Sequence, residues 1–423
     1  MLNEKLKRLC NVGLRGSTLA SKFLLVFFLA RLLSPAELGL FGLLSATIGY
    51  SLYILGFDFY TFSTREILKV PKSQRGSILK NQASIFLVLY VIALPLLSII
   101  FVKGILPWKY AAWFFALVIL EHLTQELGRL LIAVSEQLVA SIILFLRQGI
   151  WPILAVAAMS FSKDLRTLDF ILAAWCIGAA LALLLGVFIL LRSGLSGWST
   201  KVDWQWILRG LKVSSALLIA TLAIRGVLTL DRYWVQSLSG LEVLGAYVLF
   251  ISIGNALMSF LDAGVFSFIY PEMIKAWHAR DIPKFRAELA RLAMQTTIVS
   301  ALFFGIALLA IEPLLHWLGK DFYIAYQSIF PWTLLATTLY GVGMIPHYAL
   351  YAMGYDRSII YSHLLSLPLF TASTWLTSNY SATLAVPVSI CGTFLFILFW
   401  KSASLFLLRY EISSQNSPNT AKA

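Results

Sequence analysis

Acidic residues are scarce in this chain of 423 residues: 20 Asp and Glu stand against 33 Lys and Arg, and charged residues of both signs make up only 13%. Soluble domains carry about 25%, so this composition excludes an ordinary soluble domain. Cysteine is nearly absent. Cys10, Cys176 and Cys391 are too few and too far apart for a disulfide framework or a metal-ligand set. A Gly-rich GxxxxGK[ST] loop is missing, and with it an ATPase built into the chain. HExxH and GxSxG are missing too, since EHLTQE at 121–126 has the wrong order. Polar stretches between apolar runs are short, about 25 residues at most, which leaves no room for a soluble catalytic domain. The reading is therefore not an enzyme, with no cofactor and no metal.

Apolar sequence is what remains. Hydrophobic residues reach 59% and mean hydropathy is +0.82. Runs long enough to cross about 30 Å of hydrocarbon fall at about 14–33, 38–62, 82–102, 110–134, 138–160, 169–191, 213–236, 243–270, 293–315, 326–352, 357–377 and 383–408. This pattern predicts an all-α integral membrane protein of about twelve transmembrane helices, with short polar tails at 1–13 and 409–423. The first run is long, is interrupted by Lys22 and Arg31, and leads straight into a second, so it is not a cleavable signal.

The net charge of +13 follows topology rather than nucleic acid, which is not an expected partner. With the N-terminus placed in the cytoplasm, Lys and Arg divide about 22 to about 5 in favour of the inner loops, with Lys5, Lys7, Arg8, Lys401, Arg409 and Lys422 on the inner side. The expectation is a multi-pass protein with both termini cytoplasmic, its inner surface in contact with anionic membrane lipids. Three inner stretches read as interfacial helices: VPKSQRGSILK, Trp204–Leu211, and the basic amphipathic segment after YPEMIK.

Charges inside the spans carry the functional argument, because each costs roughly 2.5–3.5 kcal/mol at a helix centre. Lys22 lies in span one. Arg147, with Gln148 beside it, lies near the middle of span five, and Arg225 lies just past the middle of span seven. These three are candidate ligand-binding cations. Arg232, seven residues beyond Arg225, falls near the far interface, where it can snorkel. Span four is the most polar. Glu121, Gln125 and Arg129 at i, i+4, i+8, with His122 and Glu126, form one broad polar stripe. Either Glu126 and Arg129 pair internally to lower insertion cost, or the stripe lines a wet cavity. Asn255 and Asp262 share a face of span eight. Glu121, Glu126 and Asp262 are candidate proton couplers, with charge pairing as the alternative role for each. His347 and His363 read as helix–helix hydrogen-bonding groups.

The second half echoes the first at an offset of about 206–208 residues: Gly39 with Gly245, Phe41 with Tyr247, Gly56 with Gly264. An even number of spans per repeat keeps both halves in one orientation. The expected organisation is a six-helix bundle at 1–200 and a second at 201–423, with a site between them. A hinge is expected near 192–212.

DRYWVQSLSGLEVLGAY at 231–247 resembles the motif at spans seven and eight of O-antigen flippases, the polysaccharide-exporting branch of the multidrug/oligosaccharidyl-lipid/polysaccharide exporter superfamily. LLSPAELGLFGLL, YPEMIKAWHARDIPKF and PLLHWLGKDFYIAYQSIFPWTLLA agree in style and position. The resemblance spans nearly the whole chain. It implies a MATE-like flippase fold in the bacterial inner membrane. It also implies alternating-access movement of a polyprenyl-pyrophosphate-linked oligosaccharide from the cytoplasmic to the periplasmic leaflet, in service of O-antigen, lipopolysaccharide or other surface polysaccharide biosynthesis. The polysaccharide polymerase machinery is an expected partner. A cationic lumen is the family expectation, and Lys22, Arg147 and Arg225 are the residues that would supply it. Two further spans found in lipid II flippases are absent. A multidrug or cation antiporter of the same superfamily is the main rival. A membrane glycan polymerase or ligase is a weaker one, because no large outer loop is present.

Overall fold

The computed structural model describes residues 4–415; for residues 4, 5, 7, 8, 216, 217 and 409–415 it describes the helical backbone alone. Residues 1–3 and 416–423 lie outside the described residues, as do Lys422 and the side chains of Lys5, Lys7, Arg8 and Arg409. Among the described residues every element is helical.

Among the described residues, ten stretches are long and apolar enough to cross a membrane. One of them, Leu218–His278, contains Gly240 at φ 87° and ψ 174°. Side-chain-bearing residues do not tolerate that region, and the continuous Trp204–Leu261 segment becomes two helices there, 204–239 and 241–261. Adding this division and the 23-residue, polar-striped Ala111–Ala133 helix gives the twelve spans expected. The protein is a multi-pass membrane protein. Its outward faces carry exposed Leu87, Val91, Phe161, Leu309 and Phe399, as lipid solvation allows.

The chain divides into two compact units, Met1–Leu222 and Ala223–Ala423. In the first, Glu4–Leu32 ends just before Ser34, which begins Pro35–Gly56 with a reciprocal cap: Ser34 Oγ accepts from Glu37 N, and Glu37 accepts from Ser34 N. This is the physical content of the SPAEL sequence. The helix stops at Gly56, and Phe57 and Asp58 adopt positive φ before Tyr60–Lys69 restarts it. Buried Phe59 anchors that corner against Phe62, Phe86 and Trp206.

All three stretches read as interfacial helices belong to longer elements. Lys72 opens Lys72–Leu97 and continues as span three. Trp204 opens the first turns of the 204–239 helix, and Trp206 and Ile207 are buried. The YPEMIK segment is the end of Ser267–His278, followed by a turn at Arg280 and the start of Ile282–Leu318, whose first turn Asp281 caps. In each case apolar residues on the inner side bury against neighbouring helices, so the amphipathic faces meet protein.

The two halves are not residue-for-residue copies. Phe41 and Tyr247 are both buried. A Cβ on Gly56, however, would lie 3.1 Å from His122 Nε2, whereas Gly264 faces open space inside a π-helical turn, Asp262–Phe266. The span Leu168–Arg192, rich in small residues, packs closely: a Cβ on Gly178 would come within 2.7 Å of the Trp151 ring.

Candidate functional site

In the first unit, Lys22, Arg147 and Glu121 are joined in one network. Arg147 and Gln148 sit in a π-helical turn, Leu146–Ile150, between the helices Gln137–Phe145 and Trp151–Phe161. A π turn inserts an extra residue into the helix and is frequent at functional positions. Gln148 Oε1 accepts from Lys22 Nζ at 3.1 Å. Its amide nitrogen faces Glu121 Oε2 at 3.5 Å. Arg147 Nε lies 3.3 Å from the same oxygen, as an ion pair without the angle of a formed hydrogen bond. Trp175 Nε1 donates to Glu121 Oε1 at 2.7 Å, and the Trp175 ring stacks on Trp151 at 5.9 Å. Glu121 is only 2% exposed, while Lys22 keeps an exposed side chain. The carboxylate is therefore a fixed, buried post that holds Arg147 and Gln148, and Lys22 is at the accessible end of the chain of contacts.

The stripe of span four divides in two. Successive residues are about 100° apart on a helix, and this helix is packed on both flanks. Glu121 faces Arg147 and Trp175. His122, Glu126 and Arg129 turn to a different flank. His122 Nδ1 pairs with the Tyr90 hydroxyl at 2.7 Å. Glu126 accepts from Gln82 Nε2 at 2.9 Å and from Arg129, whose guanidinium covers the Tyr60 ring at 3.6 Å. The internal Glu126–Arg129 pair is thus present, and the close approach of Gly56 to His122 closes this second network. Gln125 joins neither network among the described residues.

In the second unit, Arg225, Asn255 and Asp262 all have exposed side chains. The charges of Arg225 and Asp262 act on each other, and Arg225 is within electrostatic reach of His363. Asp262 opens the π-helical turn Asp262–Phe266. Asp231, fully buried, accepts from Arg232 Nη1 at 3.0 Å and from the Tyr247 hydroxyl at 2.7 Å. Arg232 is thereby tied to its neighbour Asp231. The most recognisable sequence motif, DRYWVQSLSGLEVLGAY, is a structural clasp over the Gly240 turn.

One polar group was misplaced by sequence reasoning. Lys401, expected in an inner loop, is 3% exposed within Ala385–Gln415. Its ammonium contacts His347 Nδ1 at 3.1 Å and His363 Nε2 at 3.0 Å. The signal was available, since Lys401 falls inside the apolar run 383–408.

Solved structures match this arrangement over nearly its full length. One described as the inward-facing conformation of a multidrug resistance MATE family transporter of the MOP superfamily matches at TM-score 0.76 and 12% identity, covering 96% of both chains. The fold is MATE-like. The outward-facing conformation of a multidrug resistance MATE transporter matches at TM-score 0.54 and 10% identity, over 96% of this chain and 95% of that one. A MOP superfamily transporter from Pyrococcus furiosus Vc1 (DSM3638), described as having a binding pocket of reverse polarity that suggests a different function, matches at 0.53 and 11% identity, over 97% and 94%. No protein-family model and no curated protein matches the chain. The likeness to these structures is one of fold.

Proposed function

We propose that this chain translocates a lipid-linked anionic oligosaccharide, of the polyprenyl-pyrophosphate type, from the cytoplasmic to the periplasmic leaflet of a bacterial inner membrane by alternating access. The observation that carries this reading is the pairing of the intramembrane acids. Glu121 is held by Arg147, Glu126 by Arg129 and Asp231 by Arg232, while Lys22 and Arg225 present exposed cations. A cationic drug would need unpaired carboxylates. A diphosphate needs basic donors in a place where water is scarce, and guanidinium groups offer it paired hydrogen bonds. Carrying that headgroup through hydrocarbon without such donors would cost several kcal/mol per charge.

A cation antiporter remains the second reading. It is favoured by exposed Asp262 and by the multidrug transporters whose structures the chain matches.

The two separate in purified full-length protein reconstituted into vesicles. A fluorescent polyprenyl-pyrophosphate oligosaccharide should become accessible to a membrane-impermeant quencher faster than in protein-free vesicles. No acceleration, together with drug sensitivity in a deletion strain, would establish the antiporter instead.

A further inference from the structure

We propose that Lys401, His347 and His363 form a proton-binding site in the second unit, through which movement of the cargo is coupled to a proton gradient. The inference rests on the transporter reading but not on the identity of the cargo.

The three side chains come from three successive helices, Phe330–Ala352, Asp356–Ser378 and Ala385–Gln415. Lys401 Nζ lies between the imidazoles, 3.1 Å from His347 Nδ1 and 3.0 Å from His363 Nε2. The two rings are nearly parallel, 10° apart in plane with centroids 6.0 Å apart. Lys401 is 3% exposed, and among the described residues no carboxylate lies within ion-pairing distance of it. Charged and titratable groups that face the cluster include His347 with its neighbour Tyr348, His363, Arg225 acting on His363, and Asp262 acting on Tyr348.

Each imidazole nitrogen facing Lys401 accepts when its ring carries the proton on the other nitrogen, the tautomer this site requires. In the neutral state a lysine amine donates one N–H to each. In the charged state the ammonium donates the same two bonds and keeps a third proton. Uptake transfers one proton from hydronium to this cluster and leaves water; release reverses it. A second proton would place two cations about 3 Å apart in a medium of low dielectric, so the capacity is one. A cation buried in a membrane helix without a carboxylate is costly, so the charged state is favoured when water reaches the cluster and disfavoured when the helices close over it. That difference is what a gradient-coupled carrier requires. Of the candidate couplers Glu121, Glu126 and Asp262, the first two pair with arginines and Asp262 is exposed.

The test is a proton titration of purified full-length protein across about pH 5 to 9, the range in which imidazoles exchange protons, run on wild type, Lys401→Met and His347→Gln/His363→Gln. Lys401→Met should bind one proton fewer. The double histidine variant should keep the proton but move its midpoint by about one pH unit or more. In vesicles loaded with the fluorescent lipid-linked probe, Lys401→Met should lose its response to an imposed pH gradient while concentration-driven movement continues. Unchanged titration in both variants overturns the site; so does a lost proton with the gradient response intact. If Lys401→Met fails to fold, the midpoint of the histidine variant decides. If wild type moves no probe, the cargo reading fails, and the titration still decides the proton site.

Discussion

The Tyr247 hydroxyl donates to Asp231 Oδ2 at 2.7 Å, joining two helices across the turn at Gly240. Asp231 is fully buried and also holds Arg232, so the bond ties a charge pair to the next span. Tyr247→Phe should lower stability by about 1–3 kcal/mol, because one acceptor of a buried carboxylate is left without its donor. Asp231→Ala should cost more, about 3–5 kcal/mol, since it strands the Arg232 charge. Thermal melting in detergent measures both. Equal losses would remove Arg232 from the clasp.

Gly240 itself should resist replacement. At φ 87° and ψ 174°, alanine is strained by about 1–3 kcal/mol although space around it is open. A melting temperature unchanged in Gly240→Ala would show that the turn relaxes freely.

Glu121 and Arg147 form a pair that should behave as a unit. Glu121→Gln and Arg147→Gln each leave a buried charge, and each should cost about 3–5 kcal/mol. The double variant should recover much of that loss, a coupling of at least about 1 kcal/mol. Additive losses in a double-mutant cycle would mean that the 3.3 Å contact carries no energy.

Lys22→Ala and Arg225→Ala should insert normally yet weaken binding of a pyrophosphate lipid by about tenfold to a hundredfold each, the worth of a charge-assisted contact. Binding measured on the purified variants checks this. Undiminished affinity in both would remove the anion reading at its base.

Much of the architecture was legible in the chain. The twelve apolar runs, the SPAEL cap and the small-residue span follow from local physics: hydrocarbon thickness sets run length, a serine followed by glutamate starts a helix, and glycine lets helices approach. The deep charges Lys22, Arg147 and Arg225 could also be picked out by depth alone. Partners could not. The period of span four places Glu121 and His122 on neighbouring faces but does not say that different helices pack on each, so the stripe read as one surface while it serves two networks.

Composition and hydrophobic patterning by themselves determined a many-span helical membrane protein with a few costly charges, because the free energy of placing groups in lipid depends on residue type and sequence spacing. Tertiary structure alone decided which charges neutralise one another. Glu121 meets Arg147 and Lys401 meets two histidines only because their separate helices pack side by side, and a polar contact about 3 Å long has no signature in a pattern read one residue at a time.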